Sequence, residues 1–483
     1  MVAVTSPGRR MTPVACSKPA TGPAIRMTAA RPITKHPARE TQMRRGATND
    51  TMTPHGGKRK RPGCPGAGDA GRLMPLPLET HHAIIATRSP TPREEERMRL
   101  SLAYEMQRPT VDDHAVIEET IQQCVLADQV GFDTLWFVEH HFLTSFSMSP
   151  CPEVLFGALS RLTKRIRLGF GVVILPYHHP VRVAERVAMV DHMSGGRVEF
   201  GTGRSAPYEQ TGMGLDPRNT RAMWEESLRM IPKIWEDGLF SWEGQFWNVP
   251  PREVRPKPYQ KPHPAIWVAA LQPATYQLAA ELGIGVMALS VASPSFLAPH
   301  IKAYKERVRQ AKPVGKFIND QWLSATMAVC GSDGKAAREM AAKSLRTFFG
   351  PDRPYLKDQT HLYEQLVESW GGVPDHLRAN FARYIKGEGA EGAPPVDLSG
   401  GSGQIAAALW NQIDADTLTD RGVLVAGDPE SCLRSIAIHE AAGVDELQFL
   451  MATESVPHET VMDSIEMFGK HVIPKLKKTP ARR

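Results

Sequence analysis

The sequence lacks the marks of several protein classes. Its six cysteines (16, 64, 124, 151, 330 and 432) are scattered through 483 residues and form no C-x-x-C pair. That excludes a zinc ribbon, a thioredoxin-type redox motif and a secreted disulfide scaffold, and it fits a reducing cytoplasm. No run of 18 apolar residues occurs, so no membrane-spanning helix is expected. No H-E-x-x-H spacing occurs either, and no metal site is expected. Aromatic rings are missing from residues 1–97, which hold 13 prolines and a net charge of +10; all 34 Phe, Trp and Tyr lie beyond them. Such a segment cannot bury enough apolar surface to offset ordering entropy, so 1–97 is expected to be a disordered basic tail. No apolar core follows its basic start, which excludes a secretory signal. The cluster Lys58-Arg59-Lys60-Arg61 leaves a nucleic-acid arm open, and composition leaves a transit peptide open. We favour a third reading, in which translation begins at Met98 and the tail is not part of the working protein. The rest of the chain carries a net charge of −4, so its body is not expected to bind nucleic acid.

From Met98 onward, short apolar runs alternate with stretches of helical period. Eight strands are expected: Arg99–Tyr104, Thr134–Val138, Ile166–Leu175, Arg197–Gly201, Ala265–Ala270, Val286–Ser290, Trp322–Val329 and Glu446–Leu450. Between them, Asp112 and Asp113 offer helix-start chemistry ahead of Ile117, Ile121, Cys124 and Val125, with Gly131 as the stop. Further helices are expected over Pro152–Leu162, Val181–Met193, Trp224–Asp237 and Ala274–Leu282. Phe240–Val249 alternates around a glycine and predicts a hairpin outside the repeat. Eight strands with helices between them are the arithmetic of a (β/α)8 TIM barrel, here one domain over 98–483. Residues 345–425 do not fit one unit and predict a helical insertion flanked by mobile Gly-rich loops.

Barrel enzymes place reactive groups where strands end. Strand two runs into Glu139-His140-His141, strand three into Tyr177-His178-His179, strand four into Gly203-Arg204-Ser205, and strand five into Ala270-Leu271-Gln272. His140 and His141 are adjacent on extended chain, so their side chains diverge and at most one faces the mouth. One reading is a general base of near-neutral pKa. The other is a pair of structural histidines bonded to carboxylates such as Glu139. Gly201-x-Gly203-x-x-Ala206 matches a dinucleotide fingerprint, but that motif needs a helix opening at once. Pro207 follows directly and Thr211–Gly214 reads as loop, so the match is rejected. Thr275 and the free N–H groups opening the helix after strand five predict an anion site, which Arg204 and Arg221 would complete if the loops converge.

Together, these strand ends resemble the bacterial luciferase-like family of flavin-dependent monooxygenases. The matching text is L-W-F-V-E-H-H-F (135–142), V-I-L-P-Y-H-H-P-V-R (173–182), D-H-M-S-G-G-R-V-E-F-G-T-G-R (191–204), N-T-R-A (219–222) and G-V-D-E-L (443–447). The resemblance implies a TIM barrel binding reduced FMN (FMNH2) at the strand ends. Its phosphate would be held by Arg204, Arg221, Thr275 and backbone from Ala270, Leu271 and Gln272. A non-prolyl cis peptide under the flavin ring would fall at Gly171-Val172, beside Gly203. His140 matches the family's catalytic histidine and His179 its second one. The implied chemistry is oxygenation of a small apolar substrate by O2 through a C4a-(hydro)peroxyflavin, with FMNH2 from a separate flavin reductase. Phe142, Tyr177, Tyr208 and Trp247 are candidates for the substrate side. A homodimer packed through helices near strands two and three is implied too. Luciferases carry Glu-Ser where this chain has Leu271-Gln272, and cysteine where it has Gly203, so light emission is not expected. Alternatives are hydride transfer with the deazaflavin F420 on the same fold, or flavin binding without turnover.

Overall fold

The structure, a computed structural model, describes residues 98–107, 111–143, 146–270, 273–289, 293–349 and 413–476. The expected tail, positions 350–412 of the expected insertion, and Leu271 and Gln272 lie outside the described residues.

The first half of the barrel is built from β1 (Arg99–Tyr104), α1 (Asp113–Val130), β2 (Thr134–Phe137), α2 (Pro152–Leu162), β3 (Arg167–Ile174), α3 (Pro180–Ser194) and β4 (Val198–Gly203). Two helices follow, α4 (Pro207–Gly212) and α5 (Pro217–Ile234), then an antiparallel hairpin of β5 (Leu239–Glu243) and β6 (Asn248–Glu253). The second half holds β7 (Ala265–Ala270), α6 (Pro273–Leu282), β8 (Gly285–Leu289), α7 (Pro294–Val308), β9 (Trp322–Cys330) and α8 (Gly334–Phe349). It ends with α9 (Ala415–Asp420), β10 (Leu424–Gly427), α10 (Pro429–Ala441), β11 (Glu446–Leu450) and α11 (His458–Met467). All ring pairings are parallel, in the order β1-β2-β3-β4-β7-β8-β9-β11, and Leu100 opposite Leu447 closes the circle. The ring is therefore a closed (β/α)8 barrel, and its eight strands are the eight expected from the sequence. β10 was not expected; it adds to the second half of β9, with Leu424 opposite Met327. Among the described residues no helix is long and apolar enough to cross a membrane.

Local chemistry explains the helix bounds. Asp112 caps α1 by accepting from Ala115 N at 3.1 Å, and Gly131 stops it at φ +106°. Asp216 caps α5 and Pro217 occupies its first turn, so this helix starts seven residues before the expected Trp224. Pro207 likewise opens α4. The expected loop at Thr211–Gly214 is helical at Thr211 and Gly212; a proline at the first helical position costs no hydrogen bond, because that N–H has no intrahelical acceptor. The Rossmann match still fails, since Val198–Gly203 belongs to a closed barrel.

Two packings matter for the mouth. Inside the barrel, Trp136, Trp267, Met287 and Leu323 form a buried cluster with Val172 against it. The two indole N–H groups donate to Glu446 (2.7 Å) and Glu199 (2.8 Å), and Arg99 pairs with Glu446 at 2.8 Å. Each buried carboxylate thus faces an arginine of opposite charge, at Arg99 for Glu446 and Arg167 for Glu199, and accepts a hydrogen bond. Above this floor, the β3–β4 register jumps between Phe170 and Val173, and the Gly171–Val172 peptide is cis. Gly201 sits opposite the jump, where a Cβ would lie 2.0 Å from Phe170 O. Only glycine fits so close an approach of two backbones.

Candidate active site at the C-terminal mouth

Three buried carboxylates and three histidines meet where β1, β2, β3 and β4 end. Glu139, which is 3% exposed, follows β2. Its Oε1 accepts from His178 Nε2 at 2.6 Å and from His141 Nε2 at 3.1 Å, and its Oε2 accepts from Ile174 N at 2.8 Å. These donors outweigh burial and hold the carboxyl below its ordinary range. His141 and His178 are therefore structural partners of one carboxylate, joining the β2 and β3 ends.

His140 turns the other way, as strand alternation requires. Its Nδ1 lies 3.1 Å from both oxygens of Glu209, and its Nε2 lies 3.6 Å from Glu105 Oε2. The second separation is an ion-pair distance rather than a hydrogen bond. Glu209 also accepts from His141 N at 2.7 Å and from the Ser205 hydroxyl. Burial alone would lower the pKa of His140, but Glu105, Glu209 and Glu139 raise it to about 9. That direction runs away from a near-neutral base and toward a protonated ring. Glu209 is held below its ordinary value by the same pairing.

The sequence reading named neither Glu105 nor Glu209. Glu105 lies one residue past β1 and Glu209 lies within α4. Pro207 as a helix start, two residues before Glu209, was the available signal for the second. The first carried none beyond its place at a strand end. Backbone strain concentrates here as well. Met106, Phe142 and Ser205 hold φ of +54°, +62° and +62°, and they are the positive-φ non-glycine residues of the described chain. Each follows a barrel strand, where strained backbone commonly accompanies function.

The remaining expected site residues fall into three groups. Gly171, Val172 and Gly203 meet at the β3–β4 step; a Cβ on Gly203 would lie 2.5 Å from Val172 Cγ2. Arg204 and Arg221 lie close enough that partial desolvation and the neighbouring Arg221 charge together lower the Arg204 pKa, with Glu225 opposing. Glu225 pairs with Arg221 at 3.2 Å. Ala270 ends β7 and Thr275 stands in the first turn of α6, on the strand next to β4. His179 is set apart from the carboxylate cluster. It is exposed, its Nδ1 accepts from Val181 N at 3.2 Å as the cap of α3, and its ring packs edge-on against Trp247 at 4.9 Å. Of the aromatic candidates, Phe142 is 46% exposed and Tyr177 packs against His141 at 5.6 Å.

The mouth thus gathers two neighbouring arginines, a stepped strand floor and a histidine held between carboxylates. The chain belongs to the luciferase-like monooxygenase family, whose pattern matches residues 98–446. It is thus an enzyme of the flavin-dependent oxidoreductase class. It is 35% identical over 282 residues to the oxygenase component of a flavin-dependent trigonelline monooxygenase from Acinetobacter baylyi, covering 56% of this chain and 75% of that one. It is 30% identical to limonene 1,2-monooxygenase from Rhodococcus erythropolis, covering 48% and 60%. Among solved structures, the oxygenating constituent of 3,6-diketocamphane monooxygenase from Pseudomonas putida, bound to FMN, superposes with a TM-score of 0.59 at 22% identity. That match covers 79% of this chain and 99% of the other. An F420-dependent tetrahydromethanopterin reductase from Methanopyrus kandleri shares the fold at a TM-score of 0.54 and 18% identity.

Proposed function

We propose that this protein is the oxygenase of a two-component system, using reduced FMN and O2 to oxygenate a small, largely apolar organic molecule. The pairing of Arg204 with Arg221 at the end of β4 carries the reading. Two neighbouring guanidinium groups carry more positive charge than the Glu225 carboxylate beside Arg221 offsets, and a flavin phosphate is an anion that would join them. The residues fit the group: Arg204 and Arg221 would hold the phosphate, with Thr275 and the opening N–H groups of α6 from the neighbouring strand end. Gly171, Val172 and Gly203 would floor the ring. When bound, reduced FMN supplies the two electrons that activate O2. The chain's part is to orient the ring, exclude water and manage one proton at His140.

The reductase partner is supported by the printed role of the trigonelline relative as an oxygenase component. A homodimer is supported by exposed apolar side chains on two packed helices, Val154 and Leu162 on α2 with Met189 and Met193 on α3. A cytoplasmic location belongs to the same proposal and is supported by the scattered cysteines.

The test is anaerobic titration with FMNH2 and with reduced F420, followed by air. FMNH2 binding with oxygen uptake supports the proposal. F420 binding without oxygen uptake replaces it with hydride transfer, and binding of neither rejects both. In the same assay His140→Ala should bind FMNH2 as before and lose about 100-fold or more in turnover; undiminished turnover removes His140 from the chemistry.

A further inference from the structure

We propose that His140 works as a proton donor, kept in the imidazolium form by a two-carboxylate clamp in which Glu209 is the positioning residue. The role of the proton rests on the oxygenase reading; the charge of the ring does not.

The geometry places a carboxylate beside each ring nitrogen. Nδ1 faces both oxygens of Glu209 at 3.1 Å, and Nε2 faces Glu105 at 3.6 Å. A neutral imidazole has one N–H, so one bare ring nitrogen would point its lone pair at a carboxylate. A ring with a carboxylate beside each nitrogen is at ease only when both are protonated. The other groups facing it do not offset this. Glu139 adds a third negative charge, and the edge of Phe146, with centroids 5.9 Å apart, is uncharged. Ser205 spends its hydroxyl hydrogen on Glu209, and His141 gives Glu209 its backbone N–H. Glu209 therefore arrives already oriented by two fixed donors. Its placement on α4 sets the ring, while the looser Nε2 is left as the nitrogen that can release a proton.

The reaction has a use for it. Forming oxygenated substrate, water and oxidised flavin from O2, substrate and a monoanionic reduced flavin consumes one proton. In that step the Nε2–H bond breaks, an O–H bond forms at the oxygen gaining negative charge, and the ring is left neutral until solvent reprotonates it. A general base in the same place would need the ring neutral beforehand, which the two carboxylates oppose.

The experiment is nitrogen NMR of the flavin-free protein carrying labelled histidine, with the His140 signal assigned by its loss in His140→Gln. The ring should stay doubly protonated at pH 8. Glu209→Gln should lower its midpoint by about one pH unit or more, a tenfold loss of proton affinity. Glu209→Asp should restore part of the shift, and Glu105→Gln should produce a smaller fall; these two carry the test should Glu209→Gln not fold. A ring that deprotonates near the ordinary histidine value overturns the clamp, as does a midpoint unmoved by Glu209→Gln. Turnover against pH then tests the donor role. It should fall with rising pH through the His140 midpoint, and the falling limb should move to lower pH in Glu209→Gln. A rate that rises through that midpoint identifies a base and overturns the assignment. Absence of flavin binding with the ring still charged would reject the oxygenase reading and leave the clamp standing.

Discussion

At the residue scale, adjacent histidines can have unlike fates. His141 shares Glu139 with His178 and ties two strand ends together, whereas His140 stands between Glu105 and Glu209. A third histidine shows the opposite shift. His439 on α10 is fully buried, donates Nε2–H to Gly422 O at 2.8 Å, and is pushed by desolvation down to about 4. Its folded pKa lies below the unfolded value of about 6.5, so its contribution to stability is full above about pH 6.5 and is lost as pH falls toward 4. We expect the melting temperature to drop across that window, and less steeply in His439→Leu, which carries no titrating ring. Parallel slopes in thermal melts at stepped pH would contradict the assignment. At the mouth, Arg204→Ala should weaken FMNH2 binding about 10- to 100-fold, the worth of one charge-assisted contact, without changing the melting temperature of the flavin-free protein. Equal affinity by fluorescence titration would place the phosphate elsewhere.

At the element scale, the barrel strands were legible because each is a short β-rich apolar run bounded by turn residues or a helical pattern. Helices were less so. α7 buries Leu297, Ile301, Tyr304 and Val308 at helical spacing, yet Pro299 interrupts the pattern within it. α4 was hidden by taking Pro207 as a break rather than a start. The hairpin, by contrast, was legible in outline but not in what secures it. Glu226 on α5 accepts from Trp242 Nε1, Gln245 N, Phe246 N and Trp247 N at 3.0–3.1 Å. One carboxylate thus satisfies the turn of β5–β6 and pins it to α5. Glu226→Ala should destabilise the protein by about 1–3 kcal/mol, since it leaves several donors without an acceptor. Hydrogen exchange confined to residues 240–249 should rise well before the barrel strands exchange. Uniform exchange would mean that Glu226 does not secure the hairpin. Trp247 also packs on His179, so the hairpin carries this coupling to the start of α3.

At the scale of the whole molecule, ring closure gives the site its composition. Glu105 follows β1, His140 follows β2 and Glu209 lies beyond β4, so no two of them share an element. The outer faces of α2 and α3 give the assembly prediction. Met189 is 51% exposed and Val154 67% exposed, on helices that pack against each other. Met189→Glu should convert a dimer to a monomer by light scattering while leaving the fold intact, because half of the side chain already stands in solvent. A protein that is monomeric before the substitution would reject the proposed homodimer.

The sequence by itself determined the eight strands, though not every residue at which they end, and that His140 and His141 must face apart, because side chains alternate along extended chain whatever surrounds them. It also placed Arg204 after β4 and Arg221 just ahead of an expected helix, which the structure extends back to Pro217. Only the tertiary structure decided which histidine of the pair meets Glu209 and Glu105. Those carboxylates lie 69 residues after His140 and 35 before it, and local periodicity carries no information about partners brought together by barrel closure. The charge we propose for His140 has its origin there too. It depends on carboxylates placed around a partly desolvated ring, and so belongs to the closed mouth rather than to the E-H-H tripeptide.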